Sequence, residues 1–407
     1  GYEAMGAFDE NGNAGNQNIA IGRDALKGGA CDGNTTGNIA IGYQAMDATS
    51  TNAQIGTIAI GKAALGALTS GAGNTAIGYQ SGLAVTTGVQ NTFLGYQSGL
   101  DLNEGSRNTA VGYDALSGAL DANGDESVDN TFIGHASGSG DWVTAVSNSN
   151  TAVGSGTMIG DMNGALNNTA IGYQALTAII EGDSNTGVGQ GSGIAIEDGN
   201  KNVCVGATAG DSIVDGGYNT MVGYGTDGAA GVYRQIAIGY QAVTSALECI
   251  AIGTDFTNST TRTVKFGDAG NSMISQDWDT PGDSTWTRSS DRRRKRNIKD
   301  NTLGLEFINK LRTRTFQMKP QNELPKEWVS YSETNRYDTE KVHIGFIAQE
   351  LKELIDEYGA PDEIASWSED EDGMQRAGET KLITPLIKAV QELSAEVASL
   401  KEQLNNK

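Results

Sequence analysis

Proline is scarce in this chain, with 5 residues in 407, and no strict glycine triplet runs through it, which excludes a collagen-like rod. Cysteine is also rare. Cys31, Cys204 and Cys249 are odd in number and far apart, so they build neither a disulfide framework nor a metal site, and buried thiols are expected. There is no run of 18 apolar residues, and so no candidate membrane-spanning helix and no membrane insertion. No signal peptide is visible, and Gly1 to Met5 read as the end of a repeat already begun, as in the C-terminal piece of a longer protein. Positive charge is missing from most of the chain. Before Arg288 there are 28 acidic and 8 basic residues; from Arg288 onward the counts are 22 and 20. An acidic surface of that size repels phosphate backbones, so no nucleic acid partner is expected, and it keeps a long assembly soluble.

Glycine, at 56 residues, is about twice ordinary usage. It marks a repeat, Asn-Thr-Ala-Ile-Gly-Tyr-Gln-Ala/Ser, clean at Asn74–Ser81 and Asn168–Ala175. Its Gly recurs fourteen times, at 22, 42, 61, 78, 95, 112, 134, 154, 172, 189, 206, 223, 239 and 253. The step is 17 residues in two long runs and 14 to 22 elsewhere. That period is too short for a helix pair and suits one coil of a β-solenoid. Alternation sets Ile39 and Ile41 on one face and Ala40 on the other. Both faces are apolar, so the strand should be buried on both sides. A lone coil covers only its inner face, and the second face implies partner chains. The repeat resembles the head repeat of trimeric autotransporter adhesins. That implies a left-handed parallel β-roll of three chains over residues 1–253. Phe93, Phe132, Cys204 and Met221 replace the small residue and Gly187 leaves a gap, so uneven packing along the trimer axis is expected.

Between the strands hang loops. Asp121–Glu126 has a faintly calcium-like spacing without the distal Glu or following helix, and no metal or other cofactor is expected. Trp142 and Tyr233 are candidate sugar-stacking residues if exposed. Residues 254–289 break the repeat, with strand-like Thr261–Phe266 and a turn-rich segment at Pro281 and Gly282, and read as a β-rich neck.

At Ser289-Ser290-Asp291-Arg292-Arg293-Arg294-Lys295-Arg296-Asn297-Ile298 the composition changes. A hydroxyl at Ser290 and an amine at Lys295 offer a nucleophile and a base, and four arginines should disfavour a further positive charge. An anion-binding basic cluster is the rival reading of the same residues. Ser290-Asp291-x-Arg293-x-Lys295-x-x-Ile298 resembles the start of the self-cleaving intramolecular chaperone of phage tailspikes and tail fibres, the endosialidase type. Gly304–Leu311 with Phe316, then His343–Leu351, then the terminal helix Leu382–Leu404 resemble its later motifs in order, so the likeness spans 118 residues. It implies a chaperone and autoprotease domain over 290–381 and a coiled-coil helix over 382–407. It also implies a cut between Ser289 and Ser290, with Ser290 and Lys295 as a catalytic dyad. Arg294 departs from an expected apolar residue. His343 is a candidate assistant to the dyad or a structural imidazole. Glu369–Gly373 reads as an exposed acidic turn. Ile383, Leu386, Val390, Leu393, Val397, Leu400 and Leu404 alternate at steps of 3 and 4, the pattern of a coiled coil. Val at a with Leu at d leans toward two strands; both resemblances imply three.

The reading is a mainly β chain with an α+β C-terminal domain. It is a homotrimeric phage tail fibre or tailspike in the virion, bound to the rest of the tail through an N-terminal region. Its shaft loops meet a host receptor or glycan, and its C-terminal domain trimerises, folds the shaft and releases itself. Two rivals are a bacterial surface adhesin, which should end in a barrel anchor, and a polysaccharide-degrading tailspike, which needs a carboxylate pair at a set separation.

Overall fold

The computed structural model describes residues 2–4, 17–28, 35–49, 54–118, 126–142, 145–269, 272–275, 286–288, 292–326, 328, 330–336, 338–358, 367–369 and 373–406. The chain divides into two compact units, 1–290 and 291–407.

The first unit is a β-solenoid of about 14 turns. Its strands β1 to β12 are Ile19–Ile21, Ile39–Ile41, Ile58–Ile60, Thr75–Ile77, Thr92–Leu94, Thr109–Val111, Thr131–Ile133, Thr151–Val153, Thr169–Ile171, Thr186–Val188, Val203–Val205 and Thr220–Val222. Each pairs in parallel with the next at the register of the repeat, as Thr92 with Thr109 and Leu94 with Val111. Two nine-residue strands follow, β13 (Ile236–Thr244) and β14 (Ile250–Asn258), then β15 (Val264–Asp268), still parallel. The last two, β16 (Ser272–Ser275) and β17 (Trp286–Arg288), turn antiparallel and end the sheet.

Short strands leave most of each turn in corners, and the corners are made by backbone that L-residues seldom adopt. Around β5, Gln90 (φ 58°), Gln97 (φ 52°) and Gly99 (φ 64°) are all left-handed. Bonds between turns hold them there: the Gln90 N–H reaches the Ala72 carbonyl at 3.0 Å and the Gln97 N–H reaches Tyr79 at 2.9 Å. The Gly that ends each strand has a further reason. Gly95 sits at φ 146°, and a methyl group there would overlap the Gly112 carbonyl of the next turn.

Inside each turn lies the small central strand residue, opposite to the expectation that its substitutions would disturb an axis between chains. Ala40, Ala110, Phe93, Phe132, Cys204 and Met221 are all fully buried within the chain's own coil. Space is balanced within the turn. In most turns centred on Ala the residue six positions on is large, as in Ala110 with Leu116 and Ala170 with Leu176; after Ala76 it is Gly82, where Leu65 and Phe93 from the neighbouring turns fill the space. Where the centre is Phe93, Phe132 or Cys204, that residue is Gly99, Gly138 or Gly210, and a side chain there would strike the larger group. Gly187 is no gap either, because Leu176 and Ser192 close over it.

The second unit has α1 (Leu305–Lys310), then β18 (Arg314–Gln317) antiparallel to β19 (Val342–Gly345), then α2 (Ala348–Glu357). A small hairpin, β20 (Trp367–Glu369) with β21 (Gln375–Ala377), precedes α3 (Ile383–Asn405), and residues 370–372 of the acidic turn lie outside the described residues. Its core is Leu303, Phe307, Leu351, Leu354, Ile355 and Leu382, with the Tyr358 ring edge-on to Phe307 at 5.4 Å. Among the described residues no helix is long and apolar enough to cross a membrane.

Candidate functional site

Arg292–Arg294 make one turn of 3-10 helix, closed by the Lys295 N–H on the Arg292 carbonyl at 3.0 Å. Arg292, Arg293, Lys295 and Arg296 are exposed, and Asn297 turns the chain with φ 54°. The strand preceding this segment is β17, which ends at Arg288. Ser289, Ser290 and Asp291 lie outside the described residues, as do the Asp121–Asp125 loop, Pro281, Gly282 and Cys31.

His343 faces Phe316 across the β18–β19 pair, the imidazole stacked on the phenyl ring with centroids 5.8 Å apart. That is a packing contact, and it half-buries the ring. Its neighbours Val342 and Ile344 point the other way and are 62% and 80% exposed. The pair is tied to α2 by Arg314, whose guanidinium grips both oxygens of Glu350 and holds that carboxyl below its usual range.

One stripe of α3 is inside the unit and another is not. Pro385 and Ala389 are buried, whereas Ile383, Leu386, Val390, Leu393, Val397, Leu400 and Leu404 are between 42% and 75% exposed. The helix is therefore amphipathic, with a heptad seam left exposed to solvent. The solenoid has a comparable face: Ile21, Leu94 and Ile171, at the third strand position, are exposed in a single column.

Several candidates on the shaft resolve otherwise. Trp142 is fully buried, edge-on to Phe132 at 5.6 Å, and is a core residue, not a sugar platform. Tyr233 is partly exposed beside Gly217. Tyr79, Tyr96, Tyr113 and His135 form a surface stack with centroids 4.9 to 5.4 Å apart. The inner faces of the stack cover one another, while all four residues remain exposed at the surface. Burial raises the Asp211 carboxyl above its usual range, and the neighbouring Asp227 charge adds to the shift. Cys204 is buried and its thiol is pushed up to about 12 by burial, which leaves it protonated and inert. Cys249 is buried too.

A column of buried asparagines runs the length of the shaft, and sequence reading left its role unread. The Asn91 side-chain oxygen accepts the Asn108 N–H at 2.9 Å, and its amide donates to the Gly105 carbonyl at 2.8 Å. Asn130, Asn150, Asn168, Asn185 and Asn202 repeat this. The signal was available, because an Asn precedes nearly every strand, and a polar residue at a fixed repeat position must satisfy its own group if it is inside.

Comparison with protein families matches residues 290–360 to the family described as chaperone of endosialidase. Comparison with curated proteins gave no match, nor did comparison with solved structures. A long parallel β-solenoid followed by a chaperone-of-endosialidase domain at residues 290–360 fits a phage tail fibre or tailspike with a C-terminal chaperone.

Proposed function

We propose that this chain forms a homotrimeric tail fibre or tailspike of the virion. Its C-terminal unit assembles first, holds three shafts in register and then cuts itself off between Ser289 and Ser290. The observation that carries the reading is the family match beginning at Ser290, where the two compact units meet. The open seam of α3 and the exposed Ile, Leu and Val column of the solenoid support three parallel copies. Long-range parallel pairing forms slowly and is open to misassembly, so a trimerising unit with local helices is of use before the shaft exists. Removing that unit afterwards makes the assembly kinetically hard to reverse. Host contact falls to the outer shaft surface and the attachment end lies upstream.

The chemistry follows from the residue types. Lys295, as the neutral amine, takes the Ser290 hydroxyl proton. The Ser289 carbonyl is the acyl group, and its bond to the Ser290 nitrogen breaks. That nitrogen leaves as an amine, and one water completes the Ser289 carboxylate, whether it adds directly or after an acyl shift onto Ser290. Covalent adjacency supplies orientation worth on the order of 7 kcal/mol at best. Ser290→Ala and Lys295→Ala should leave an uncut chain that still trimerises. Lys295→Arg should fail as well, because a guanidinium stays protonated. Arg294→Ala should cut. Efficient cutting by Lys295→Arg would remove Lys295 as the base and turn attention to His343. The reaction runs once per chain, so no activity on added peptides is expected.

A further inference from the structure

The residue after each strand-ending Gly stands at the same corner of its turn, so these residues form a column along the shaft, one rung per turn. Tyr79, Tyr96, Tyr113, His135, Ser155 and Tyr173 hold six successive rungs. The backbone keeps the register: the Gly156 N–H donates to the His135 carbonyl and the Gln174 N–H to the Ser155 carbonyl, each at 3.0 Å. From Tyr79 to His135 the rings stack at 4.9 to 5.4 Å. The Lys62 ammonium closes the Tyr79 end, 5.5 Å from the ring centroid. The other end is open. Beyond His135 the rung is Ser155-Gly156, where the rungs at Tyr79, Tyr96 and Tyr173 read Tyr-Gln. Among the described residues no ring or cation stacks on the far face of His135 or on Tyr173, and Tyr173 is 54% exposed against 36% for Tyr79. The His135 ring lies within 8° of the Tyr113 plane, so its far face looks along the column toward Tyr173. Two turns separate those rungs, about 10 Å at the ordinary strand spacing. A flat ring in contact on both faces needs only about 7–8 Å. The remainder suits a puckered ring with axial hydrogens. Hydrogen-bonding groups stand beside it in the Ser155 hydroxyl and in Gln174, whose Cγ lies 3.4 Å from where a methyl group on Gly156 would be.

Resting on the reading that the outer shaft meets the host, we infer that the Ser155 rung is a binding slot for one uncharged pyranose ring of a cell-surface glycan, held between His135 and Tyr173. The weakly positive C–H faces of such a ring meet the negative faces of the two aromatic rings. Its hydroxyls reach Ser155 and Gln174. A shaft with 28 acidic and 8 basic residues before Arg288 repels uronic and sialic acids, which selects an uncharged sugar. His135 and Tyr173 lie in the corners, past the strand residues Ile133 and Ile171 that the proposed trimer would cover. One ring per chain binds weakly, and three slots on one trimer turn weak contacts into firm attachment.

The test is saturation-transfer NMR on the expressed full chain, with the methyl glycosides of glucose, galactose, mannose and N-acetylglucosamine as probes and phenol as the flat-ring control. At least one glycoside should take up saturation from the wild-type protein. Ser155→Tyr fills the rung and should abolish that signal, while its thermal unfolding stays level or rises because the stack is extended. Ser155→Ala keeps the slot and should keep most of the signal. Tyr173→Ala and His135→Ala should each weaken affinity by about threefold to tenfold, the scale of one stacking contact. No glycoside signal from the wild type, an equal signal from Ser155→Tyr, or a signal with phenol alone would overturn the site. The two readings fail separately. A trimer that cuts itself normally but takes up no glycoside overturns the slot and leaves the tail-fibre reading standing; a chain that binds a glycoside through Ser155 yet neither trimerises nor cuts does the reverse.

Discussion

The two units solve opposite halves of one problem. The shaft satisfies itself: its asparagines, central strand residues and αL corners are bonded or packed from turn to turn within one chain. What it lacks is a place to begin, since no three-residue strand is stable alone and each turn needs its neighbour as a template. The C-terminal unit has local helices and a core of six buried residues, yet it leaves the whole α3 seam in water. On the proposed function one region is a product that lasts and the other a device that starts, and that contrast is the physical logic for removing the second after use.

The sharpest way to break this comparison is at the seam. Val390→Asp places a charge in the open seam of α3 and should abolish soluble assembly of the full chain. A normal yield of soluble trimer would count against the chaperone role. Within the shaft, Phe132→Ala should cost about 3–5 kcal/mol as a large buried ring is deleted, and Gly138→Leu alone should cost more than about 1 kcal/mol by overpacking. Together they recreate the Ala110 with Leu116 arrangement, so the double variant should recover much of the loss. Thermal unfolding of the four proteins closes the cycle. Next comes the asparagine column. Asn130→Ala removes acceptor and donor at once, orphaning the Asn150 N–H and the Ser147 carbonyl, and should cost on the order of 2–4 kcal/mol by the same measurement.

The smallest effect sets the two units against each other in pH. Glu350 is held low by Arg314, so its contribution is present above the ordinary carboxylate range and fades as pH falls through its depressed value. Asp211 is raised by burial and by Asp227, so its folded form prefers the proton; its corner is most stable at low pH and weakens as pH climbs through the raised value. Asp211→Asn imitates the protonated carboxyl and should raise the unfolding temperature of the shaft at pH 7, with little gain at pH 4. Arg314→Ala should weaken the C-terminal unit at pH 7 and matter less at pH 4.

Much of this architecture was legible. The recurring Gly located the strands, and the 3-and-4 spacing from Ile383 located α3. The inner and outer faces of the shaft were not, because Ile39-Ala40-Ile41 is apolar both ways and the alternation has no sign. Trp142 looked like a surface residue in a Gly-rich loop, but the room it fills beside Phe132 exists only once turns stack. Left-handed corners occupied by Gln90, Gln97 or Leu116 carry no local signal, since bonds from neighbouring turns impose them. Of the candidate site, Lys295 was proposed from residue type, spacing and resemblance. Glu392 accepts the Leu305 N–H across 87 residues, a distance over which neither periodicity nor motif speaks.

The central claim is that the C-terminal unit releases itself at Ser289–Ser290. Intact mass of the expressed wild-type chain under denaturing conditions, with N-terminal sequencing of the smaller species, tests it most directly. The account predicts two products, Gly1–Ser289 and Ser290–Lys407, the second beginning Ser-Asp-Arg. A single species at the full mass of 42.4 kDa from correctly assembled trimer would contradict it.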